Sequence, residues 1–262
     1  MTIDNKTIWI TGASSGIGEA LAYELAAKNC NLILSARNEK ALEQVKLNCK
    51  SNNIQILPFD LVDFDNAKAT ATKAIAMFGK IDVLINNGGV SQRSLLLQTD
   101  FEVDKKLIEV DYLGTVALSK ALLPHFMEQK FGHFATVTSL MGKFGSPYRS
   151  GYCGAKHALH GFFDVLRMEH EKDGIKVTLI CPGFIQTNVA KNALTGNGNA
   201  QKTDDDATKN GMQVGVFAKK MIKAIEREKF EAYIGGKEVI GVFLKRFFPN
   251  FLHWFVLRSK VR

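Results

Sequence analysis

The sequence predicts an α/β fold, a single Rossmann-like, doubly wound parallel sheet of about seven strands with helices on both faces. Three observations lead there. Short apolar runs alternate with segments of helical periodicity along the chain. The runs NLILSA, IDVLIN and KVTLICP are apolar throughout, as strands buried on both faces are. The first such run also feeds a glycine-rich loop that opens into a helical pattern. At 262 residues the chain can bury one substantial core without an internal boundary.

Strands are predicted near 6–11, 31–36, 54–59, 81–86, 132–138, 175–181 and 230–234, with helices between them. Such alternation implies parallel pairing through crossover helices. The Rossmann-like domain spans 1–236, and 237–262 form an aromatic and basic C-terminal extension. No internal repeat is present. The stretch TGNGNAQKTDDDATKNG at 195–211 is too polar and glycine-rich to fold alone. Its place after the sixth strand makes it a lid, near 190–212, in preference to a plain surface excursion.

The first strand, KTIWIT at 6–11, runs into Gly12, Ala13, Ser14, Ser15, Gly16, Ile17 and Gly18, then into the helical EALAYELAAK. Strand, glycine loop and helix together cradle a phosphate. Glycines allow tight turns and close backbone approach, and the helix N-terminus offers free N–H groups. Three residues separate the first two glycines where the generic fingerprint has one, so an ordinary turn that needs glycine backbone angles is the competing reading. In GYCGAKHALHGFFDVLR, Tyr152 and Lys156 stand four apart, on one face of a helix, with an ammonium beside a phenol. A free phenol titrates at about 10 and exchanges protons poorly at neutrality, while a fixed positive charge beside it favours the phenolate. Tyr-x-x-x-Lys alone occurs by chance on many amphipathic helices, so the pair needs corroboration from elsewhere in the chain.

Thr-Gly-x-x-x-Gly-x-Gly at 11–18, Asn86-Asn87-Gly88-Gly89 after a strand, Ser139, and Tyr152-x-x-x-Lys156 occur in this order. Together they resemble the short-chain dehydrogenase/reductase family over about 230 residues. The segments GGVSQRS and SPYRSGYCGAKHALHGFFDVLR look most like its dehydrogenase/reductase member seven branch. The resemblance implies an oxidoreductase that moves a hydride between a nicotinamide and a carbonyl or secondary alcohol, with Tyr152 as general acid/base. It implies that Ser139 holds the substrate oxygen, against the reading of a polar strand end, and that Lys156 binds the nicotinamide ribose and stabilises the tyrosinate. It further implies Asp60 at the adenine amino group with Leu61 bordering the ring, and Asn87 and Gly88 along the middle of the cofactor. Pro182, Gly183, Ile185 and Thr187 fall at the nicotinamide. Asp60 also reads as a helix N-cap, for which Asp63 is the better candidate. Family members commonly carry Ala where Gly88 stands, a small change expected to be tolerated.

Two departures bear on chemistry. The family's fourth catalytic position, an Asn in a helix before the fifth strand, is Asp111 here. The backbone carbonyl used in the family's proton relay survives that change, but the side chain becomes an acceptor that is usually ionised. An electrostatic effect on Lys156 and Tyr152 and neutral drift both stand as readings. The second strand ends Ser35-Ala36-Arg37-Asn38, with no carboxylate near Ala36 where an NAD enzyme of the family places one. Arginine meets a phosphate through charge-assisted, bidentate bonds, so NADP (NADPH) is the expected cofactor, with a merely solvated Arg37 as the alternative.

Cys30, Cys49, Cys153 and Cys181 have neither pairing nor metal-ligand spacing, and no metal is expected. Cys153 is assigned to packing. The start MTIDNKTIWIT has no basic-then-apolar leader, which reads as cytoplasmic residence. Of the formal charge of +8, residues 237–262 carry six Lys/Arg (Lys237, Lys245, Arg246, Arg258, Lys260 and Arg262) against Glu238. The fold itself has no basic stripe and no recognition motif, so no nucleic-acid partner is expected. The extension is interrupted by Lys245, Arg246 and Pro249 and is a poor membrane span. It packs over the cleft or a partner subunit, or lies in a membrane interface as a peripheral anchor. Phe144, Tyr148 and the aromatic tail point to an apolar substrate. The family resemblance implies a homodimer or homotetramer through helices beginning near 100 and 150. The alternative function is a noncatalytic NADP-binding sensor or scaffold, favoured by Asp111 alone and opposed by the intact Ser139, Tyr152 and Lys156.

Overall fold

A computed structural model describes residues 1–49, 51 and 53–259. Lys260 and Arg262, counted in the basic tail, lie outside the described residues. In chain order the elements begin with β1 (Thr7–Thr11), α1 (Gly16–Ala26), β2 (Asn31–Ser35), α2 (Glu39–Asn48), β3 (Ile54–Ile56), α3 (Ala67–Phe78) and β4 (Val83–Asn86). Next come α4 (Phe101–Ile108), a π-turn (Glu109–Leu113), α5 (Gly114–Glu128), β5 (Gly132–Val137), α6 (Ser150–Glu169) and β6 (Ile175–Pro182). The chain ends with the one-turn α7 (Asp206–Lys209), α8 (Val214–Glu226), β7 (Glu231–Ile234), α9 (Ile240–Phe247) and α10 (Pro249–Arg258). The seven strands are all parallel, in the order β3-β2-β1-β4-β5-β6-β7. The order reverses between β1 and β4, and at such a switch point a crevice opens beyond the carboxyl ends of the strands.

Side-chain alternation explains why the inner strands carry apolar residues on both parities. In β1, Ile8 and Ile10 join Leu21 and Leu25 of α1 and Phe217, Met221 and Ile225 of α8 on one side of the sheet. Trp9 points the other way, into a second core with Leu122 and Phe126 of α5 and Leu159 and Phe163 of α6. Both faces are covered, so neither residue parity is left for water. Each large side chain buried this way contributes about 1.5–3 kcal/mol.

Two sequence expectations change in the details. The third strand stops at Ile56 rather than 59. Pro58 has no N–H to give, although Leu57 and Phe59 still donate to Leu34 O (2.9 Å) and Ala36 O (3.2 Å). The N-cap of α3 is Asn66, not Asp63. Asp63 instead accepts from the Asn66 amide at 2.9 and 3.0 Å and so braces the cap residue. The segment near 190–212 is pinned to the body. Leu194 bridges to Gln92 and to Ala200, Ala190 and Ala193 are buried, and so is Asp205. Polar residues that cannot fold alone fold here because the body supplies their partners. The C-terminal extension also packs on the domain. Gly241 lies so close to Phe144 that a Cβ there would come within 2.7 Å of its ring, and Leu252 is buried with Leu140, Phe144 and Cys181. Pro249 starts α10 at a position where its missing N–H costs nothing. Among the described residues no helix is long and apolar enough to cross a membrane.

Candidate active site

The glycine loop sits at the switch point, and its backbone explains its composition. Gly12 and Gly16 have φ of +65° and +59°, a left-handed region that glycine enters without strain. A Cβ on Gly12 would stand 2.8 Å from Gly88 Cα. Ser15, the N-cap residue of α1, makes no side-chain cap, so the first-turn N–H groups are open to an anion. Thr11 Oγ1 accepts from Asn87 N and Gly88 N, both at 3.0 Å. The Asn87 amide donates to Thr11 O (3.0 Å) and Gly12 O (3.2 Å). These bonds lock the end of β4 onto the loop. A Cβ on Gly88 would meet Leu61 Cδ1 at 2.7 Å. Leu61 therefore occupies the space an alanine methyl would take.

A cavity of about 1210 Å³ runs from this loop across the ends of the strands. Gly12, Ser14, Ser15, Gly16 and Ile17 form one part of its wall, with Arg37, Asp60 and Leu61 beyond them. Asn87 and Gly88 lie in the middle. Ser139, Tyr152 and Lys156 face the same space as Pro182, Gly183, Ile185 and Thr187. Two predicted site residues are absent from the wall. Gly18 stands behind it, where a Cβ would be 2.3 Å from Gly12 O. It lets the helix start against the loop and touches no ligand space. Asp111 is fully buried in the π-turn, so it is not a group that meets substrate. The open helix N-terminus and the side-chain-free cradle fit the diphosphate of a dinucleotide, and the long cavity fits its length.

Tyr152 and Lys156 lie on successive turns of α6. The Lys156 ammonium is 5.6 Å from the Tyr152 ring centroid and donates to Val137 O at 3.3 Å. It is also 4.0 Å from Asp111 Oδ1, which accepts from Val90 N at 2.7 Å. Asp111 Oδ2 is buried with no hydrogen-bond partner among the described residues. Burial pushes the Asp111 carboxyl up to about 6, against the pull of Lys156 and the Val90 N–H. Ser139 lies two residues beyond β5, and its Oγ accepts from Met141 N at 3.1 Å. Its own proton stays available for another acceptor.

Several residues around this centre escaped the sequence reading. Gln92 Oε1 accepts from Tyr152 N at 3.2 Å, and its amide group donates into Ser94, Thr99 and Ser150. It thereby fixes the start of α6. Arg93 grips Asp205 Oδ2 through Nε (2.8 Å) and Nη2 (2.6 Å), with Arg149 Nη2 3.8 Å from the same oxygen. Burial opposes the Asp205 charge, yet its bonds with Arg93 hold the carboxyl below the usual range. Burial and the neighbouring Arg93 lower Arg149 to about 10. His160, one turn beyond Lys156, links Thr138 Oγ1 (3.2 Å) to Glu231 Oε1 (3.2 Å). Lys143 and Tyr233 bond to Glu231 too. Burial works against the Glu231 charge, but these donors bring it down to about 2. No spacing rule points to the bonds of Gln92 with Tyr152 and Ser150, of Arg93 with Asp205 or of His160 with Glu231, since each joins residues far apart in sequence.

A phosphate-ready loop at the switch point, with a tyrosine and a lysine facing the same cavity, is the arrangement of a dinucleotide-dependent oxidoreductase. The chain belongs to the short-chain dehydrogenase/reductase family, and the short chain dehydrogenase family matches it over residues 6–198. Within that family it falls in the member seven branch. It is 40% identical to Dehydrogenase/reductase SDR family member 7 of Homo sapiens over 96% of this chain and 77% of that protein. It is 34% identical to Dehydrogenase/reductase SDR family protein 7-like of Drosophila melanogaster over 99% of this chain and 82% of that one. Among solved structures, a short-chain dehydrogenase from Streptomyces avermitilis superposes with a TM-score of 0.80 at 26% identity, covering 96% of this chain and 97% of its own. A short chain dehydrogenase/reductase from Burkholderia phymatum, solved in complex with NAD, shares the fold with a TM-score of 0.82 at 21% identity over 94% of each chain. Family membership makes this protein an oxidoreductase and implies a nicotinamide cofactor.

Proposed function

We propose that this protein is an NADP-dependent oxidoreductase that interconverts a carbonyl and a secondary alcohol on an apolar substrate, with Tyr152 as general acid/base. The observation that carries the reading is the single cavity onto which Ser139, Tyr152 and Lys156 converge, with Arg37 on the same wall near the Asp60 end. Arg37 is 69% exposed, and Asp60 Oδ2 lies 4.0 Å from it. The guanidinium is therefore free to turn to a phosphate, and Ala36 offers no carboxylate to repel one.

The bound nicotinamide supplies or accepts the hydride. Every other part of the work falls to the chain. Ser139, its acceptor side occupied by Met141 N, donates its proton to the substrate oxygen and holds it near the phenol. Tyr152 gives a proton to that oxygen during reduction and takes it back during oxidation. Lys156, held by Val137 O, keeps a positive charge 5.6 Å from the centre of the Tyr152 ring, which favours the phenolate as the proton leaves. Leu140, Met141, Phe144, Leu194 and Leu252 give the substrate end of the cavity an apolar lining, which supports an apolar substrate. Phe101 on α4 and Val165 and Met168 on α6 are exposed, which supports pairing of subunits through these helices into a homodimer or homotetramer.

The test is NADPH oxidation with a panel of apolar ketones. Tyr152→Phe is expected to lose about 10²–10⁴-fold in turnover while still quenching or enhancing NADPH fluorescence with wild-type affinity. A Tyr152→Phe protein that turns over normally overturns the assignment.

A further inference from the structure

The two helices of the C-terminal extension have opposite faces with different neighbours. Inward, Gly241, Leu244, Leu252 and Val256 meet Phe144, Leu140 and Cys181 and wall the cavity. Outward, Phe243, Phe247, Phe248, Phe251, Trp254 and Leu257 are each about half exposed or more, from 49% at Trp254 to 62% at Leu257. These rings pack on one another, Phe243 with Phe247 at 4.8 Å and Phe251 with Trp254 at 5.8 Å between centroids. So many large apolar side chains on two short helices exceed the scattered singletons of an ordinary surface.

Charge identifies the partner. Residues 239–258 contain Lys245, Arg246 and Arg258 and no aspartate or glutamate. The Arg258 guanidinium lies 4.4 Å from the Trp254 ring centroid, at the edge of the aromatic patch. A second copy of the chain, meeting this face about a two-fold axis, would set the same cations against one another. An anionic surface complements them. With eight and ten residues, α9 and α10 are roughly 12 and 15 Å long, far short of the ~30 Å hydrocarbon core. They suit lying flat, with Trp at headgroup depth and basic residues among the headgroups. We propose that the outer face of α9 and α10 docks on the headgroup region of an anionic phospholipid bilayer. An apolar molecule dissolved there would then be about one helix diameter, ~10 Å, from the cavity.

The test is flotation of the full chain with phosphatidylcholine vesicles, with and without phosphatidylserine, and it reads binding without turnover. Wild type is expected to float with phosphatidylserine vesicles and to bind at least about tenfold more weakly to phosphatidylcholine alone or in high salt. The chain has two tryptophans, and Trp9 is fully buried, so a blue shift on binding reports Trp254. Phe247→Glu/Phe251→Glu should abolish flotation, and Lys245→Glu/Arg246→Glu should lower binding to phosphatidylserine vesicles by roughly thirtyfold. None of these four residues lines the cavity, and unchanged NADPH affinity in both variants shows that they are folded. Failure of wild type to float with either vesicle overturns the proposal, as does an unshifted Trp254 spectrum. Sedimentation showing that the variants convert a dimer to a monomer without vesicles also overturns it, because the face is then a contact between copies.

Discussion

Asp111 is the residue whose chemistry the fold most constrains. Its carboxyl is fully buried, bonded through one oxygen to Val90 N, and 4.0 Å from the Lys156 ammonium. Tyr152, on the same helix face as Lys156, is the other titratable group of this cluster. With a folded value near 6 against 3.8 for a free carboxyl, the native state holds the proton more tightly than the unfolded chain does. The associated stability is therefore present below pH 4 and is lost as pH rises through 6. Asp111→Asn keeps an acceptor for Val90 N and removes the titration. Thermal melts from pH 4 to 7 should show the wild type losing stability relative to the variant across that window. In the pH dependence of kcat/KM, the inflection near 6 should vanish in the variant, since ionised Asp111 offsets the charge beside Tyr152. Identical profiles would make Asp111 a packing residue. At the far end of the cavity, Arg37→Ala should raise the KM for NADPH by roughly 10–100-fold, the size of a charge-assisted bond, and leave the KM for NADH nearly unchanged. Equal effects on both cofactors would remove Arg37 from phosphate recognition.

At the scale of elements, the segment near 190–212 is held by an ion pair that joins two loops 112 residues apart, Arg93 with Asp205. Both side chains are nearly inaccessible, and Arg149 shares the same carboxylate. Asp205→Asn removes the carboxylate charge that the buried Arg93 guanidinium binds. Breaking such a pair costs about 3–5 kcal/mol, and a drop in Tm of about 10 °C is expected for a domain of this size. Limited proteolysis should cut the variant within 195–211 before the rest of the chain. The pair also marks where sequence reading reaches its end. The inner strands were legible because they are apolar on both faces, the edge strands β3 and β7 because an apolar residue alternates with a polar or exposed one, and the glycine loop because only glycine suits its backbone. In the run Asp204-Asp205-Asp206, however, nothing distinguishes the buried carboxylate from its two neighbours. The π-turn Glu109–Leu113 is equally silent, since one extra residue in a helical turn changes no residue type in EVDYL. It nevertheless decides that Asp111 points at Lys156. The start of α3 was illegible for a related reason: Asp63 and Asn66 are both good cap types, and in the fold their side chains bond to each other while neither caps the helix.

At the scale of the molecule, the C-terminal extension packs on the Rossmann-like domain and walls its cavity. Glu238 Oε1 accepts from Phe184 N at 2.9 Å and Gly236 N at 3.0 Å, tying the start of the extension to the loop after β6. Farther on, Leu244, Leu252 and Val256 complete the cavity wall. Truncation would confound lost wall with lost anchorage, so a single substitution at the seam is the sharper probe. Gly241 rests against the Phe144 ring, and any Cβ there would be 2.7 Å from it. Gly241→Val should therefore push α9 outward at a cost of about 1–3 kcal/mol, the usual range for overpacking, while β1 to β7 and the glycine loop stay intact. NADPH affinity and kcat with a small, water-soluble ketone should then remain near wild type. The KM for a long-chain ketone should rise several-fold, because only the larger substrate reaches the wall that has moved. Equal KM values for both ketones in wild type and variant would show that the extension covers the cavity without shaping what it accepts.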